Sequence, residues 1–137
     1  METDIIIIGC GPAGVQAAIH SSRKKVKTVV LGKISNSAIY GTDIENYMGV
    51  INDGEALLLQ GVGQAKTFGA EFIEQNIVSS KRDGDLFVFE TDDGTEIRAK
   101  AVIIATGISR KKLAVPGESE LYGKGVSYCA VCDCNFY

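Results

Sequence analysis

Cys129 and Cys132, two cysteines separated by two residues, are the side chains of this sequence best suited to chemistry, and Asp133 follows them directly. Such a pair can close a small disulfide, and a position at a helix start favours the thiolate form. Asp133 is well placed to pass a proton to or from the neighbouring thiol. In a chain without an export signal, this spacing is more typical of a working dithiol than of a structural disulfide.

A glycine-rich loop near the N-terminus suggests what the dithiol works with. Gly9, Gly11 and Gly14 follow the Gly-x-Gly-x-x-Gly pattern. The first glycine permits a tight turn, the second lets a pyrophosphate approach the backbone, and the third lets a helix pack near a strand. The start of that helix supplies N–H groups and a positive dipole end for an anion. A nucleotide site and a dithiol together predict electron transfer from a bound cofactor to a disulfide.

The residues around this loop predict the βαβ unit that the motif needs. Asp4 to Ile8 is predicted as a buried strand, Ala13 to Ser22 as a helix that tolerates Pro12 in its first turn, and Thr28 to Leu31 as a second buried strand. The acidic residue that commonly holds a ribose after the second strand is missing, and Lys33 stands near that place. Lys33 either favours a phosphorylated ribose, as in an NADP site, or is a solvated lysine. In the second case, backbone and loop would hold the adenosine end.

The remaining chain predicts an α/β fold. Gly32 to Asp53 has no clear period and is predicted to be a long loop, followed by a helix from Gly54 to about Phe68 that Asp53 caps. Gly61 and Gly63 weaken that helix by roughly 1 kcal/mol each against alanine, so we expect close packing to compensate. Strands are then predicted at these places: near Phe72, Ile77–Lys81, Leu86–Glu90, Thr95–Ala99 and Ala101–Ala105. Parallel elements, an antiparallel meander and a return strand indicate a Rossmann-like, three-layer fold.

Composition narrows the function classes. The 137 residues are 45% hydrophobic and 23% charged, which is ordinary for a globular domain. A net charge of −3 argues against nucleic acid as a partner, and the acidic start followed by four isoleucines resembles neither a signal peptide nor a membrane span. Four cysteines, three of them crowded together, do not suggest a secreted disulfide framework, so we expect a cytoplasmic protein. A boundary is predicted over residues 109–116, before a loop-like stretch over residues 117–125.

Cys134 opens a second interpretation of the C-terminal cysteines. Cys129, Cys132 and Cys134 form a Cys-x-x-Cys-x-Cys cluster of three sulfurs, whereas structural zinc usually has four ligands. The fourth cysteine, Cys10, belongs to the glycine loop. We therefore predict no metal site, and a metal-binding module stays an alternative to the redox dithiol.

Four motifs together resemble the low-molecular-weight thioredoxin reductases, FAD-containing members of the flavoprotein disulfide reductases. They occur in this order: Gly9-Cys-Gly-Pro-Ala-Gly14, Asp43-Ile-Glu-Asn-Tyr-Met-Gly49, Ala105-Thr106-Gly107 and Gly123-Lys-Gly-Val-Ser-Tyr-Cys-Ala-Val-Cys-Asp133. The resemblance extends over the whole sequence but covers less than half of such an enzyme.

The resemblance implies a cofactor and roles for particular residues. FAD would be held at its pyrophosphate by the glycine loop, including Pro12 and Ala13. Asn46 would lie near the flavin, and Ala105, Thr106 and Gly107 would close the FAD domain beside it. Cys129 and Cys132 would alternate between disulfide and dithiol, with Cys132 facing the flavin and Asp133 as the acid–base group.

The same resemblance implies domains and partners. Residues 1–108 would be the N-terminal part of an FAD-binding domain, residues 109–116 a linker and residues 117–137 the start of a second domain. A thioredoxin-like protein would receive the electrons, NADPH is the family's usual donor with ferredoxin as the other choice, and the full-length form would be a homodimer. A nucleotide-binding fragment or subunit without catalysis is the main alternative.

Three departures from the family pattern stand out. The family's Gly-Gly-Gln loop is replaced by residues 33–40, Cys134 stands where a glycine usually follows the acid, and the chain ends at Tyr137. The second nucleotide-binding motif and the returning piece of the FAD domain are absent, so we expect an incomplete fold with an open sheet edge. The chain is then a fragment, a split product or one partner of a complementing pair.

Overall fold

A mixed six-stranded sheet forms the centre of the first of two structural units, Met1–Gly107; the second begins at Ile108. The computed structural model describes residues 1–134, without the side chains of residues 51, 52, 131 and 132. The elements of the first unit are β1 Glu2–Ile8, α1 Pro12–Arg23, β2 Thr28–Leu31, β3 Asp43–Tyr47, β4 Val50–Asp53, α2 Gly54–Thr67, β5 Glu71–Ile73, β6 Ile77–Asp83, β7 Leu86–Thr91 and β8 Glu96–Ile104. Those of the second unit are α3 Glu118–Leu121 and α4 Ala130–Asp133.

The strand order of the main sheet is β5-β2-β1-β8-β7-β6. The first four strands run parallel, and β7 and β6 continue the sheet as an antiparallel meander. The carboxyl ends of β1 and β8 meet at one edge because Ile8 pairs with Ile104. Loops that follow these two strands are therefore neighbours, as the α/β prediction requires.

Buried side chains lie on both faces of this sheet, in agreement with the predicted Rossmann-like fold. Neighbouring residues of a strand point to opposite faces, and Ile6 and Ile7 on β1 are both fully buried. Ile7 packs with residues of α1 and α2, whereas Ile6 packs with Phe89 of β7 and Ile97 of β8. Helices therefore pack on one face of β1, and side chains of β7 and β8 pack on the other.

The cap and the apolar face predicted for helix α2 are both confirmed. The backbone amide of Ala56 donates to Asp53 Oδ1 at 2.7 Å, and Leu58, Val62 and Ala65 are buried. The expected packing at its glycines is found at only one of them. A Cβ added at Gly61 would lie 2.7 Å from Val15 Cγ1 of α1, whereas around Gly63 no described atom comes within 4 Å of that position.

The predicted long loop over residues 32–53 was wrong. This segment contains a 3₁₀ helix, Ile34–Asn36, and the two-stranded sheet of β3 and β4. Its turn places Gly49 at φ +81°, a left-handed conformation that suits glycine. β3 is mostly exposed, so it lacks the alternating apolar pattern that reveals a strand in sequence.

Two further predictions need correction. Residues 95–99 and 101–105 were predicted as separate strands, but β8 is continuous and changes partner along its length, pairing with β7 through residues 96–99 and with β1 through residues 98–104. It is also less buried than predicted, since Ile104 is 76% exposed. The stretch over residues 117–125, predicted as loop, begins with the short helix α3 after Gly117. None of the helices in the described residues is long and apolar enough to cross a membrane.

Candidate functional site

The glycine loop joins β1 to α1 with very little space between backbone segments. A Cβ at Gly9 would lie 2.1 Å from the carbonyl oxygen of Ala105, and one at Gly14 would lie 1.8 Å from the carbonyl oxygen of Gly9. Gly9 also has φ +115°. These two glycines therefore allow the loop to pack against the end of β8, and helix α1 to pack against the loop.

Gly11, unlike Gly9 and Gly14, is not packed against backbone atoms of the described residues. A Cβ there would meet only the Ser37 side chain among the described atoms, with Oγ at 3.3 Å and Cβ at 3.9 Å. Gly11 is the N-cap of α1, and no side chain of the described residues caps this helix. Pro12 has no N–H, and the amides of Ala13 and Gly14 have no acceptor within the helix. The helix start therefore offers backbone donors to an anion.

The Ser37 hydroxyl is an unpaired polar group beside this helix start. Its oxygen is buried, and it has no hydrogen-bond partner within residues 1–134. This group is the orphan Ser37 hydroxyl. From sequence, Ser37 could be placed only within the altered loop over residues 33–40, because no local pattern shows that the loop returns to Gly11.

Ala105, Thr106 and Gly107 follow β8 at the same sheet edge. The Ala105 amide donates to the carbonyl of Ile8 at 2.8 Å, which brings this segment against the glycine loop. Thr106 and Gly107 are exposed, and Gly107 has φ +76°. The structure thus brings the first and third family motifs together.

A cavity of about 610 Å³ brings the second motif to the same region. It lies between α1, α2 and β3, and its lining includes Pro12, Ala13 and Asn46 together with Tyr47. Lys33 is not part of that lining; it is the half-buried N-cap of the 3₁₀ helix. Three predicted cofactor contacts therefore share one cavity, whereas the role predicted for Lys33 stays a prediction.

Cys129 of the second unit is disulfide-bonded. Its predicted partner, Cys132, lies on α4, but the Cys132 side chain is outside the described residues. Asp133 ends this helix, and its amide donates to the carbonyl of Cys129 at 3.0 Å. The backbone of this turn therefore holds Asp133 near Cys129.

Ser127 links the same two residues through its side chain. Its hydroxyl donates to Asp133 Oδ2 and accepts a hydrogen bond from the Cys129 amide at 3.0 Å. The carboxylate is therefore oriented next to the disulfide-bonded cysteine. Sequence reasoning did not assign a role to Ser127, although Ser127 lies within the fourth family motif.

The other two cysteines differ in environment. Cys10 is a buried free thiol, and burial raises its pKa, with the Glu74 carboxylate adding to the rise. Cys134 is exposed. The described side chains do not include that of Cys132. Among those that are described, no group of three or more His, Cys, Asp or Glu residues is arranged to hold a metal ion.

Comparison with known proteins identifies the family. The family described as pyridine nucleotide-disulphide oxidoreductase matches residues 3–136. The chain belongs to this family. A thioredoxin reductase of Peptoclostridium acidaminophilum is 40% identical over an alignment of 138 positions that covers 98% of this chain and 44% of that protein.

Solved structures agree with this assignment. The crystal structure of thioredoxin reductase from Streptococcus pyogenes has a TM-score of 0.80 at 36% identity and matches 99% of this chain and 45% of its own. A ferredoxin-flavin thioredoxin reductase from Clostridium acetobutylicum has a TM-score of 0.69 at 34% identity and matches 100% of this chain and 48% of its own. The predicted resemblance and fold are confirmed, and the chain spans less than half the length of these relatives.

Membership of this family and similarity to thioredoxin reductases imply a flavin cofactor. The described residues fit its diphosphate. The backbone at Gly9 and Gly14 is closely packed, Gly11 faces a buried hydroxyl without a partner, and the start of α1 is uncapped. An anion at this place would satisfy both the helix amides and that hydroxyl.

Proposed function

We propose that the chain carries the flavin-binding unit and the redox dithiol of a thioredoxin reductase-like enzyme. One observation supports this proposal: a single chain of this family contains both a glycine loop at the uncapped start of α1 and a disulfide-bonded Cys129. The Asp133 carboxylate is held near that cysteine by Ser127. When bound, FAD supplies the electron pair that reduces the disulfide. The units would correspond to part of an FAD-binding domain over residues 1–108, a linker over 109–116 and the start of a second domain over 117–137.

The first unit would bind and orient FAD. The amides of Ala13 and Gly14 would hold the diphosphate above Gly11, where there is no Cβ to obstruct it. Asn46 would contact the flavin from the cavity that it shares with Pro12 and Ala13. Gly9, Ala105, Thr106 and Gly107 would form the floor of the site at the sheet edge, and Lys33 would contact the adenosine end.

The second unit would carry out thiol–disulfide exchange. Reduction of the Cys129–Cys132 disulfide adds two electrons and two protons, and Asp133 would donate or accept a proton at the pair. The Cys129 thiolate would then attack one sulfur of a thioredoxin-like disulfide, and the other sulfur of that partner would leave and take up a proton. The Cys132 thiolate would then attack the Cys129 sulfur of the mixed disulfide, which forms the Cys129–Cys132 bond and breaks the bond to the partner. The partner's sulfur would leave as a thiolate and take up a proton, which completes reduction of the partner.

Two electron donors are candidates for this chemistry. The family name indicates a pyridine nucleotide, for which NADPH is our first expectation. Similarity to a protein named ferredoxin-flavin thioredoxin reductase makes ferredoxin the other donor to test. A homodimer in the full-length form and a cytoplasmic location remain predictions.

An anaerobic titration tests the proposed function. The protein in its full-length form is saturated with FAD and then mixed either with NADPH or with reduced ferredoxin while flavin absorbance is followed. Protein thiols are counted afterwards, and oxidised thioredoxin is added to measure its reduction. We expect bound flavin, two additional thiols after reduction and transfer of electrons to thioredoxin.

Matched cysteine variants sharpen this experiment. Cys129→Ser and Cys132→Ser should abolish transfer to thioredoxin while FAD still binds, whereas Cys10→Ser should retain transfer. Flavin binding without disulfide reduction by any reductant would favour the non-catalytic nucleotide-binding alternative. A chain that binds no flavin would contradict the proposed function.

A further inference from the structure

The orphan Ser37 hydroxyl is the only polar group of that residue left for a ligand within the described structure. The Ser37 amide donates to the carbonyl of Ile34 at 2.9 Å, and the Ser37 carbonyl accepts from the amide of Tyr40 at 3.0 Å. Its buried Oγ has no such partner within residues 1–134. A buried hydroxyl without a partner is unfavourable, so this atom is a candidate for contact with a bound group.

The surrounding segment holds Ser37 in place. Ser37 is the C-cap of the 3₁₀ helix. Ile34 precedes Ser37 and Ile39 follows it, and both pack against the core cluster of α1 and α2. The Asn36 amide also donates to the carbonyl of Lys33 at 3.1 Å. The hydroxyl is therefore positioned by packing and backbone hydrogen bonds before any ligand arrives.

Its location points to the ligand's chemistry. The orphan Ser37 hydroxyl lies 3.3 Å from the position that a Cβ at Gly11 would occupy, at the uncapped start of α1. A group held by the amides of Ala13 and Gly14 would lie beside this hydroxyl. Such a group is expected to be anionic, because the helix start offers only donors and a positive dipole end.

We propose that Ser37 donates a hydrogen bond to the diphosphate of FAD. The inference rests on the proposed flavin-binding function and adds to it a specific contact from the altered loop over residues 33–40. A side-chain donor here would complement the backbone donors of α1, and phosphate oxygens accept such hydrogen bonds strongly.

Binding of flavins with and without a diphosphate tests this contact. Dissociation constants of FAD and riboflavin are measured by calorimetry for the wild-type chain and for Ser37→Ala. We expect the variant to bind FAD at least about tenfold more weakly than the wild type, because it loses a hydrogen bond to a charged group. Its affinity for riboflavin should equal that of the wild type, since riboflavin has no phosphate.

Two serines provide matched controls. Ser22 Oγ is the other buried hydroxyl without a partner in the described structure, but Ser22 lies in the last turns of α1, away from the glycine loop. Ser35 lies on the same segment as Ser37 and is exposed. Ser22→Ala and Ser35→Ala should bind FAD as the wild type does.

Thermal unfolding without flavin separates ligand contact from a structural role. Removal of an unpaired buried hydroxyl should leave the melting temperature of Ser37→Ala unchanged or higher. Three results would overturn the Ser37 contact without affecting the proposed function. They are an equal FAD affinity in the variant and the wild type, an equal loss of FAD and riboflavin binding in the variant, and a lower melting temperature of the variant. Absence of FAD binding in the wild type would overturn the proposed function as well.

Discussion

Ser127 holds the carboxylate of Asp133 and the amide of Cys129 with a single hydroxyl. Because Asp133 is the proposed acid–base group, the loss of this hydroxyl should leave its carboxylate poorly oriented next to the leaving thiolate. We expect Ser127→Ala to slow reduction of the Cys129 disulfide by dithiothreitol about tenfold, well short of a full loss of acid catalysis. Quenched alkylation and mass spectrometry measure this rate.

A double variant shows whether Ser127 acts through Asp133. Asp133→Asn removes the charged group itself, so adding Ser127→Ala to it should cause little further slowing. If the two substitutions slow reduction independently, Ser127 does not act by positioning the carboxylate.

The Cys10 thiol gives the glycine loop a dependence on alkaline pH. Burial, followed by the Glu74 carboxylate, raises the pKa of Cys10 above its ordinary value of 9.0, while Lys66 opposes the rise. Above pH 9 the unfolded chain therefore ionises this thiol while the folded protein keeps it protonated. The contribution of Cys10 to the free energy of unfolding is thus fully present below pH 9 and is lost as the pH rises toward the folded pKa.

Cys10→Ala should remove this alkaline loss. Urea denaturation between pH 7 and pH 10 is expected, by this linkage, to give a constant difference between wild type and variant up to about pH 8. Above about pH 9, the wild type should lose more stability than the variant. Parallel stability curves through the whole range would show that the fold does not perturb the Cys10 thiol.

At the scale of elements, the two glycines of α2 provide a matched pair. A methyl group at Gly63 meets open space among the described atoms, whereas one at Gly61 would press on Val15 Cγ1. Gly63→Ala should therefore raise the free energy of unfolding by about 0.5–1 kcal/mol, the usual gain from alanine in a helix. Gly61→Ala should gain less or destabilise the protein, because Val15 is buried and must shift.

Urea denaturation of both variants, at neutral pH and without flavin, measures this difference. Equal gains at the two positions would show that the contact between α1 and α2 adapts without cost. A loss at Gly63 would mean that an unrecognised contact covers this position.

Elements with local signals were predictable from sequence, and those set by distant pairing were not. β2 is a short buried run, and the Asp53 cap adjoins its helix, so both were predicted correctly. β8 pairs with both β7 and β1. The pairing with β1 joins residues that are far apart in sequence, such as Glu2 and Arg98, and no local pattern connects them. Likewise, the motifs indicated the glycine loop and the dithiol, but the role of Ser37 depends on a loop that returns to Gly11 in space.

At the scale of the whole molecule, the chain divides after Gly107 into two units, and the second unit begins with a segment that has no regular secondary structure. Residues 110–112 are Arg-Lys-Lys, exposed and without regular secondary structure, which makes them good trypsin sites. Several basic residues of the first unit, such as Lys66 and Lys100, lie within helices or strands, and the exposed turn of Lys24 and Lys25 is only two residues long. Trypsin should therefore cut first at residues 110–112 and leave the first unit intact.

Time-resolved mass spectrometry of the digest, with and without FAD, tests this order of cleavage. FAD should slow later cuts within the first unit, because a ligand that binds only the folded form lowers the population of open states. It should leave the first cut at residues 110–112 unchanged, since these residues lie outside the unit proposed to bind FAD. Earliest cleavage at the exposed turn of Lys24 and Lys25 would contradict the expected order, because the first unit would then open before the segment that follows it.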